Sequence, residues 1–217
     1  MGSCIILCAA GFDGFLEQLK EEDFLLAADG GYAHFQAMGL KPHEVLGDFD
    51  SLEYVPADAE VFPVEKDDTD SMLAVRRGLA LGYRHFLLYG SLDGGRLDHT
   101  VANFQTLQFL ADRGAAGYLV GENYLVTVVK DGEIRFDAAA QGIVSLFCMG
   151  PDARGVTLAG LKYPLEDGTL TAGFPLGVSN HFTGAPAEVS VKDGSLLVFW
   201  DRKNGLPCGR SDLGRGQ

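Results

Sequence analysis

Three short stretches of this chain combine carboxylates with groups suited to gripping phosphate: Gly-Asp-Phe-Asp-Ser at 47–51, Lys-Asp-Asp-Thr-Asp at 66–70 and Gly-Gly-Arg-Leu-Asp-His at 94–99. Each begins where an apolar run gives way to polar residues, the place where α/β scaffolds carry their sites. Clustered aspartates beside one Arg and one Lys suit a hard divalent cation that in turn holds a phosphate chain. Asp48 and Asp50 flank Phe49, so in an extended segment both carboxylates point to one side and repel unless a cation lies between them. Isolated, such a pair reads equally well as a solvated acidic turn. Asp67, Asp68 and Asp70 crowd the start of an apolar helical pattern formed by Met72, Leu73, Val75 and Leu79, where Thr69 or Asp70 could cap the free backbone N–H groups.

The stretch from Gly90 to Leu97 has the glycine spacing of a P-loop, yet Arg96 stands where that motif needs Lys, and Leu97 where it needs Ser or Thr. A P-loop NTPase is therefore not expected, but the physics survives: glycines admit a phosphate to backbone N–H groups at a helix start, and Arg96 can grip it bidentately. Asp98 and His99 open that helix, with Asn103 one turn beyond His99 on the same face. Asp29-Gly30-Gly31 ends another apolar run and could admit a ligand or simply make a tight turn. Gly177-Val178-Ser179-Asn180-His181 departs from the serine-hydrolase elbow at its last position. Trp200, the only tryptophan, reads more readily as core than as a stacking platform.

The elements that must position these residues fall into two kinds. Up to about residue 120, apolar runs at 5–7, 24–28, 60–64, 86–89 and 118–120 alternate with helical patterns near 13–20, 31–38, 70–81 and 99–113, which predicts a mostly parallel sheet covered by helices. Beyond it the pattern predicts short strands at 125–129, 133–136, 143–148, 155–158, 188–191 and 196–200. Turn pairs at Asp131-Gly132, Asp167-Gly168 and Asp193-Gly194 separate several of them. The fold class expected is an α/β domain over 1–124, followed by an all-β sandwich over 125–217, with a Gly- and Arg-rich tail from Leu206 expected to be poorly ordered.

The 217 residues carry 17 basic against 30 acidic side chains, a net charge of −13, which argues against nucleic acid or an anionic membrane as partner. An acidic chain that handles polyphosphate needs divalent cations as intermediaries. Cys4, Cys8, Cys148 and Cys208 lack metal-site spacing, so reduced cytoplasmic thiols are expected. The apolar stretch at 4–10 is too short to cross a bilayer.

Taken together, the motifs resemble thiamine pyrophosphokinase. The resemblance rests on Ala28-Asp29-Gly30-Gly31, on Gly39-Leu40-Lys41-Pro42 leading into Gly47-Asp48-Phe49-Asp50-Ser51, on Lys66-Asp67-Asp68-Thr69-Asp70, on Gly94-Gly95-Arg96-Leu97-Asp98-His99 with Asn103, and more weakly on Gly177-Val178-Ser179-Asn180. It implies a two-domain homodimer with active sites between subunits, and transfer of the terminal diphosphate of ATP to the hydroxyl of thiamine, giving thiamine diphosphate and AMP. It further implies Mg2+ held by Asp48, Asp50 and Asp70, and catalytic roles for Asp70, Arg96 and Asp98. ATP contacts are implied at Asp29, Gly30, Gly31, Ser51, Lys66, Thr69, His99 and Asn103, and thiamine contacts at Ser179, Asn180 and Trp200. Whether Asp70 and Asp98 serve as base or metal ligand stays open. Two alternatives compete: a pyrophosphokinase acting on a hydroxymethyl pterin, and a non-catalytic nucleotide- or thiamine-binding module.

Overall fold

The computed structural model describes residues 2–52, 54–65 and 67–211. The chain forms two compact units, one of Met1–Thr106 with Gly117–Glu122 and the other of Leu107–Ala116 with Asn123–Gln217.

In the first unit the order is β1 (Cys4–Leu7), β2 (Phe24–Ala28), α1 (Gly31–Ala37), β3 (Glu44–Gly47), β4 (Glu60–Val61), α2 (Asp70–Ala80), β5 (His85–Tyr89), α3 (Leu97–Ala111) and β6 (Ala116–Val120). The strands lie side by side as β6-β5-β1-β2-β3-β4. The pairs β5–β1, β1–β2, β2–β3 and β3–β4 are parallel. All four residues of β1 are buried, as expected of a central strand covered on both faces. Its Cys4, Ile6 and Leu7 join Leu26, Leu46, Phe86 and Leu88 in the core, with Val75 of α2 and Phe35 of α1. Helix α1 starts so close to β1 that a Cβ at Gly31 would collide with the Leu7 carbonyl, so packing alone requires glycine there.

Parallel pairing puts the carboxyl ends of β5, β1, β2 and β3 along one edge. Gly90, Cys8, Asp29 and Asp48 each follow one of these strands directly. This row of strand ends is where open α/β sheets bind ligands.

The second unit holds β7 (Tyr124–Lys130), β8 (Glu133–Phe136), β9 (Ile143–Cys148), β10 (Asp152–Ala159), β11 (Leu165–Thr171), β12 (Asn180–His181), β13 (Ala187–Ser190), β14 (Ser195–Asp201) and β15 (Gly209–Arg210). Strands β12-β9-β14-β7 form one antiparallel set, and β11-β10-β13-β8-β15 form a second antiparallel sheet. The Phe136 ring of β8 packs edge-on against Trp200 of β14, at 5.4 Å between centroids, and against Phe182 at 5.0 Å. Arg210 of β15 donates to Thr127 Oγ1 and to the Val128 carbonyl, at 2.8 and 2.6 Å. No helix among the described residues is long and apolar enough to cross a membrane.

Several sequence expectations give way to the structure. No helix forms over 13–20. Gly14 adopts a φ of +89°, the Leu16 N–H donates to the Tyr89 hydroxyl, and Phe12 and Phe15 pack on the Tyr89 ring. The apolar spacing that mimics a helix there serves an aromatic knot. Strand β3 lies where the sequence pattern shows only a loop motif, and the run at 60–64 keeps only two strand residues. Asp167-Gly168 is no hairpin turn: it lies inside β11, whose pairing with β10 shifts register there, with Asp167 at φ +50°. The tail expected to be poorly ordered pairs instead as β15 on β8, while its last residues, 212–217, lie outside the described set.

Candidate active site

Nine of the sequence-predicted residues converge on one cleft of about 610 Å³ in the first unit: Asp29, Asp48, Asp50, Ser51, Thr69, Asp70, Arg96, His99 and Asn103. Its floor is the row of strand ends, through Cys8, Ala28, Asp29, Gly90 and Ser91, and Gly94 and Gly95 add glycine backbone to its wall.

The acidic corner is built by pairing between β2 and β3. Ala28 lies opposite Leu46, so the next residues along, Asp29 and Gly47, are neighbours. A Cβ at Gly47 would come within 2.9 Å of the Asp29 Cα, and the Asp29 N–H donates to the Leu46 carbonyl at 2.8 Å. Asp29, at φ +48°, turns its carboxylate toward the 48–51 loop, where the Ser51 hydroxyl donates to its Oδ2. Asp29 is 7% exposed, and its Oδ1 is buried without a hydrogen-bond partner among the described residues.

Phe49 departs from the extended geometry expected between Asp48 and Asp50. Its φ is +62°, a conformation unfavourable for a bulky side chain, and its ring is buried. The backbone therefore turns between the two aspartates, and the Asp50 N–H donates back to Asp48 Oδ1 at 3.2 Å. The result is a trio: one carboxylate oxygen from each of Asp29, Asp48 and Asp50, all within 4.8 Å of one another. Asp70 lines the same cleft but is not in that trio.

The trio fits a hard divalent cation. Its donors are all carboxylate oxygens, and the buried Asp29 Oδ1 meets no hydrogen-bond donor that would satisfy it otherwise. Without a cation, two such charges 4.8 Å apart repel by about 3.5 kcal/mol at an effective dielectric constant of 20.

Across the cleft, Thr69 caps α2: its Oγ1 accepts from the Met72 N–H at 3.2 Å. Arg96 is exposed and donates to both carboxylate oxygens of Asp98, at 2.6 and 3.2 Å. That hydrogen bond holds Asp98 below the usual carboxylate range and raises the guanidinium further. Asp98 itself does not line the cleft, nor do Gly30 and Gly31. Lys66 lies outside the described residues.

Cys8 also lines the cleft; burial, with the Asp70 and Asp29 charges behind it, pushes its thiol up to about 12. Ser71 and Ser91 are further lining residues absent from the sequence reading. Serine so close to a motif is too common to stand out, and only the folded contacts mark it.

In the second unit, Ser179 is exposed at φ +60°, its N–H donating to Ser145 Oγ at 3.0 Å. Asn180 is buried and spends its amide on Tyr163, accepting from the N–H at 2.9 Å and donating to the carbonyl at 2.8 Å. Trp200 is fully buried and donates its indole N–H to the Gly205 carbonyl at 2.9 Å. Its placement is that of a core residue, as burial of a ring with its N–H satisfied requires.

Comparison with known proteins finds two family models in succession along the chain. The family model for the thiamin pyrophosphokinase catalytic domain matches residues 15–119, and that for the family's vitamin B1 binding domain matches residues 132–196. A thiamine pyrophosphokinase of Bacillus subtilis (strain 168) is 27% identical over 188 residues, covering 82% of this chain and 87% of that protein. The crystal structure of thiamine pyrophosphokinase from Bacillus subtilis superposes with a TM-score of 0.81 at 24% identity, covering 92% of this chain and 98% of the other, a likeness of fold. That of thiamin pyrophosphokinase from Geobacillus thermodenitrificans gives 0.77 at 27% identity, covering 92% and 97%.

Proposed function

The chain belongs to the thiamin pyrophosphokinase family, and from that premise we propose how its cleft is used. The protein is a thiamine diphosphokinase: the hydroxyl of thiamine attacks the β-phosphorus of ATP, the bond from that phosphorus to the α–β bridging oxygen breaks, and AMP leaves. The observation that carries this reading is the joint match to a catalytic and a vitamin B1 binding domain, in that order, on a chain whose catalytic half gathers the acidic trio and a glycine loop in one cleft.

Asp48 and Asp50 would hold magnesium, and the geometry favours Asp29 as their third partner, with Asp70 facing the same cleft. The ion supplies positive charge to a polyphosphate that this acidic chain could not otherwise hold. The chain's own residues do the rest by positioning, which is most of what phosphoryl transfer requires. Thr69 and the first turn of α2, with Gly94, Gly95 and Arg96, cradle phosphate oxygens. His99 and Ser51 line the nucleotide's bed. With Asp98 tied to Arg96, we assign Asp70 to receive the hydroxyl proton. Arg96 must exchange Asp98 for phosphate when ATP arrives.

Residues 1–124 form the nucleotide half of this scheme and 125–217 the thiamine half. Ser179 is its contact with thiamine, in a partner subunit's site, its backbone held by the N–H bond to Ser145 Oγ. Exposed Phe174, Leu176 and Val178 precede Ser179, an apolar run that favours a covered face in a homodimer. A cytoplasmic enzyme is consistent with its four unbridged cysteines.

The test is release of AMP from ATP by the purified protein with magnesium, with and without thiamine. Thiamine-dependent AMP together with thiamine diphosphate is the expected result. AMP formed only with a pterin alcohol would move the acceptor, and ligand binding without AMP from folded protein would leave a binding module.

A further inference from the structure

Asn103 carries more than the motif gives it. It lies in the second turn of α3, is 6% exposed, and spends its side-chain amide on the protein. Its Nδ2 donates to the Ser91 carbonyl at 2.8 Å, and its Oδ1 accepts from the Ser71 hydroxyl at 2.7 Å. The Ser71 hydroxyl in turn lies 3.0 Å from Thr69 Oγ1, the cap of α2. A continuous chain of polar contacts thus runs from the loop after β5, through α3, to the first residues of α2.

The two ends of that chain are the glycine loop and the start of α2, the two segments assigned above to cradle phosphate oxygens. On the loop side the clamp is reinforced: Thr100 donates to the Leu92 carbonyl at 3.1 Å, the Ser91 hydroxyl donates to the Leu88 carbonyl at 2.9 Å, and Asp93 accepts from the Glu122 N–H at 2.7 Å. The loop is therefore fixed to α3 and the sheet. On the α2 side, the Ser71 hydroxyl, two residues beyond the Thr69 cap, ties the start of the helix to Asn103 of α3.

Resting on the diphosphokinase reading, we infer that Asn103 is a positioning residue. Through Ser71 and the Ser91 carbonyl it fixes the spacing between the capped start of α2 and the glycine loop, so that both ends can hold one polyphosphate together. Asn is the fitting side chain because one end must accept and the other donate. A carboxylate at this site would face the Ser91 carbonyl with no proton to offer.

The experiment measures ATP affinity at equilibrium with magnesium and no acceptor, so that no turnover intervenes, together with steady-state KM and kcat. Variants are Asn103→Ala, Asn103→Asp, Ser71→Ala and the Ser71→Ala/Asn103→Ala double. Loss of registration should weaken ATP binding by about tenfold (about 1.4 kcal/mol) in Ser71→Ala and in Asn103→Ala. The double variant should be no weaker than the worse single, since both cut one link. Asn103→Asp should not rescue. KM for thiamine should stay unchanged, which a general loosening of the fold would not allow.

Unchanged ATP affinity in folded Ser71→Ala overturns the inference, as do additive losses in the double. Should Asn103→Ala fail to fold, Ser71→Ala alone decides, because it removes one hydroxyl and leaves the Asn103–Ser91 bond in place. If the unaltered protein neither binds ATP nor releases AMP, the functional reading fails instead, a result separate from any effect of the variants.

Discussion

Replacing Asp29 by Asn should move stability in opposite directions with and without a divalent cation. The substitution keeps the side chain's shape and leaves an oxygen for the Ser51 hydroxyl, but removes one charge from the trio. Three oxygens within 4.8 Å of one another give two repulsions involving Asp29. At an effective dielectric constant of 20 each is about 3.5 kcal/mol. Asp50 is exposed and Asp48 half-buried, so solvent screening leaves a net relief on the order of 1–2 kcal/mol. Against this, the Ser51 bond becomes a neutral one, at a cost of about 1 kcal/mol. In EDTA the variant should therefore be as stable as the parent or more so by about 1 kcal/mol, which for a chain of this size is about 2–4 °C in Tm.

Under saturating Mg2+ or Mn2+ the order should reverse. A ligand at a hundred times its Kd stabilises the native state by about 2.7 kcal/mol, and the variant forfeits most of that. Thermal unfolding across a cation titration, with calorimetric binding of Mn2+ alongside, reads both signs in one series. A variant that loses stability in EDTA and keeps the parent's full response to the cation would refute the reasoning, since it would make Asp29 a structural hydrogen-bond acceptor and nothing more.

Three further outcomes follow from the packing. At Phe49, whose φ is +62°, the Gly variant should be more stable than the Ala variant by about 1 kcal/mol in urea unfolding, the reverse of the order at ordinary positions; the usual order would remove the case for a strained backbone. Burial, helped by the Glu44 charge for Cys4 and by the Asp70 and Asp29 charges for Cys8, raises both thiols from 9.0 to about 12, so the native protein should expose neither to alkylation at pH 8. Because the folded values are the higher ones, stability is level below pH 9 and falls between 9 and 12 by about 1.4 kcal/mol per pH unit for each thiol; Cys8→Ala should flatten that slope by one thiol's share, and an unchanged slope would count against the burial effect. Trp200→Phe should cost about 1–3 kcal/mol in thermal unfolding through the orphaned Gly205 carbonyl, whereas a raised KM for thiamine at unchanged stability would place the ring in the substrate site.

What was legible in the sequence was whatever a local pattern could encode. Asp48, Asp50, Thr69 and Arg96 stood out because each sits at the exit of an apolar run, and in a parallel sheet such exits share one edge. Asp29 was legible as a turn, but its membership in the trio depends on Ala28 pairing with Leu46, a register that no spacing within either segment records. Phe49 misled for a related reason: alternation implies extension, and only its burial beside a left-handed backbone shows the turn. The helix expected over 13–20 failed because its apolar residues match Tyr89, far along the chain, better than they match one another. Strand β11 escaped because its side chains are mostly polar and exposed, and its pairing with β10 is set by backbone bonds.

The charge balance ties these observations to one energetic constraint. Among the described residues lining the cleft, Arg96 is the sole Lys or Arg, and it already gives its hydrogen bonds to Asp98. An anion entering beside Asp29, Asp48, Asp50 and Asp70, on a chain of net charge −13, meets more repulsion than one guanidinium and two helix starts can offset. On the proposed function, nucleotide affinity is coupled to cation occupancy of the trio, and the coupling runs both ways: whatever lets ATP bind tighter with the ion lets the ion bind tighter with ATP. The acidic residues that look like an obstacle to holding polyphosphate would, on the proposed function, be the reason it is held only together with its cation.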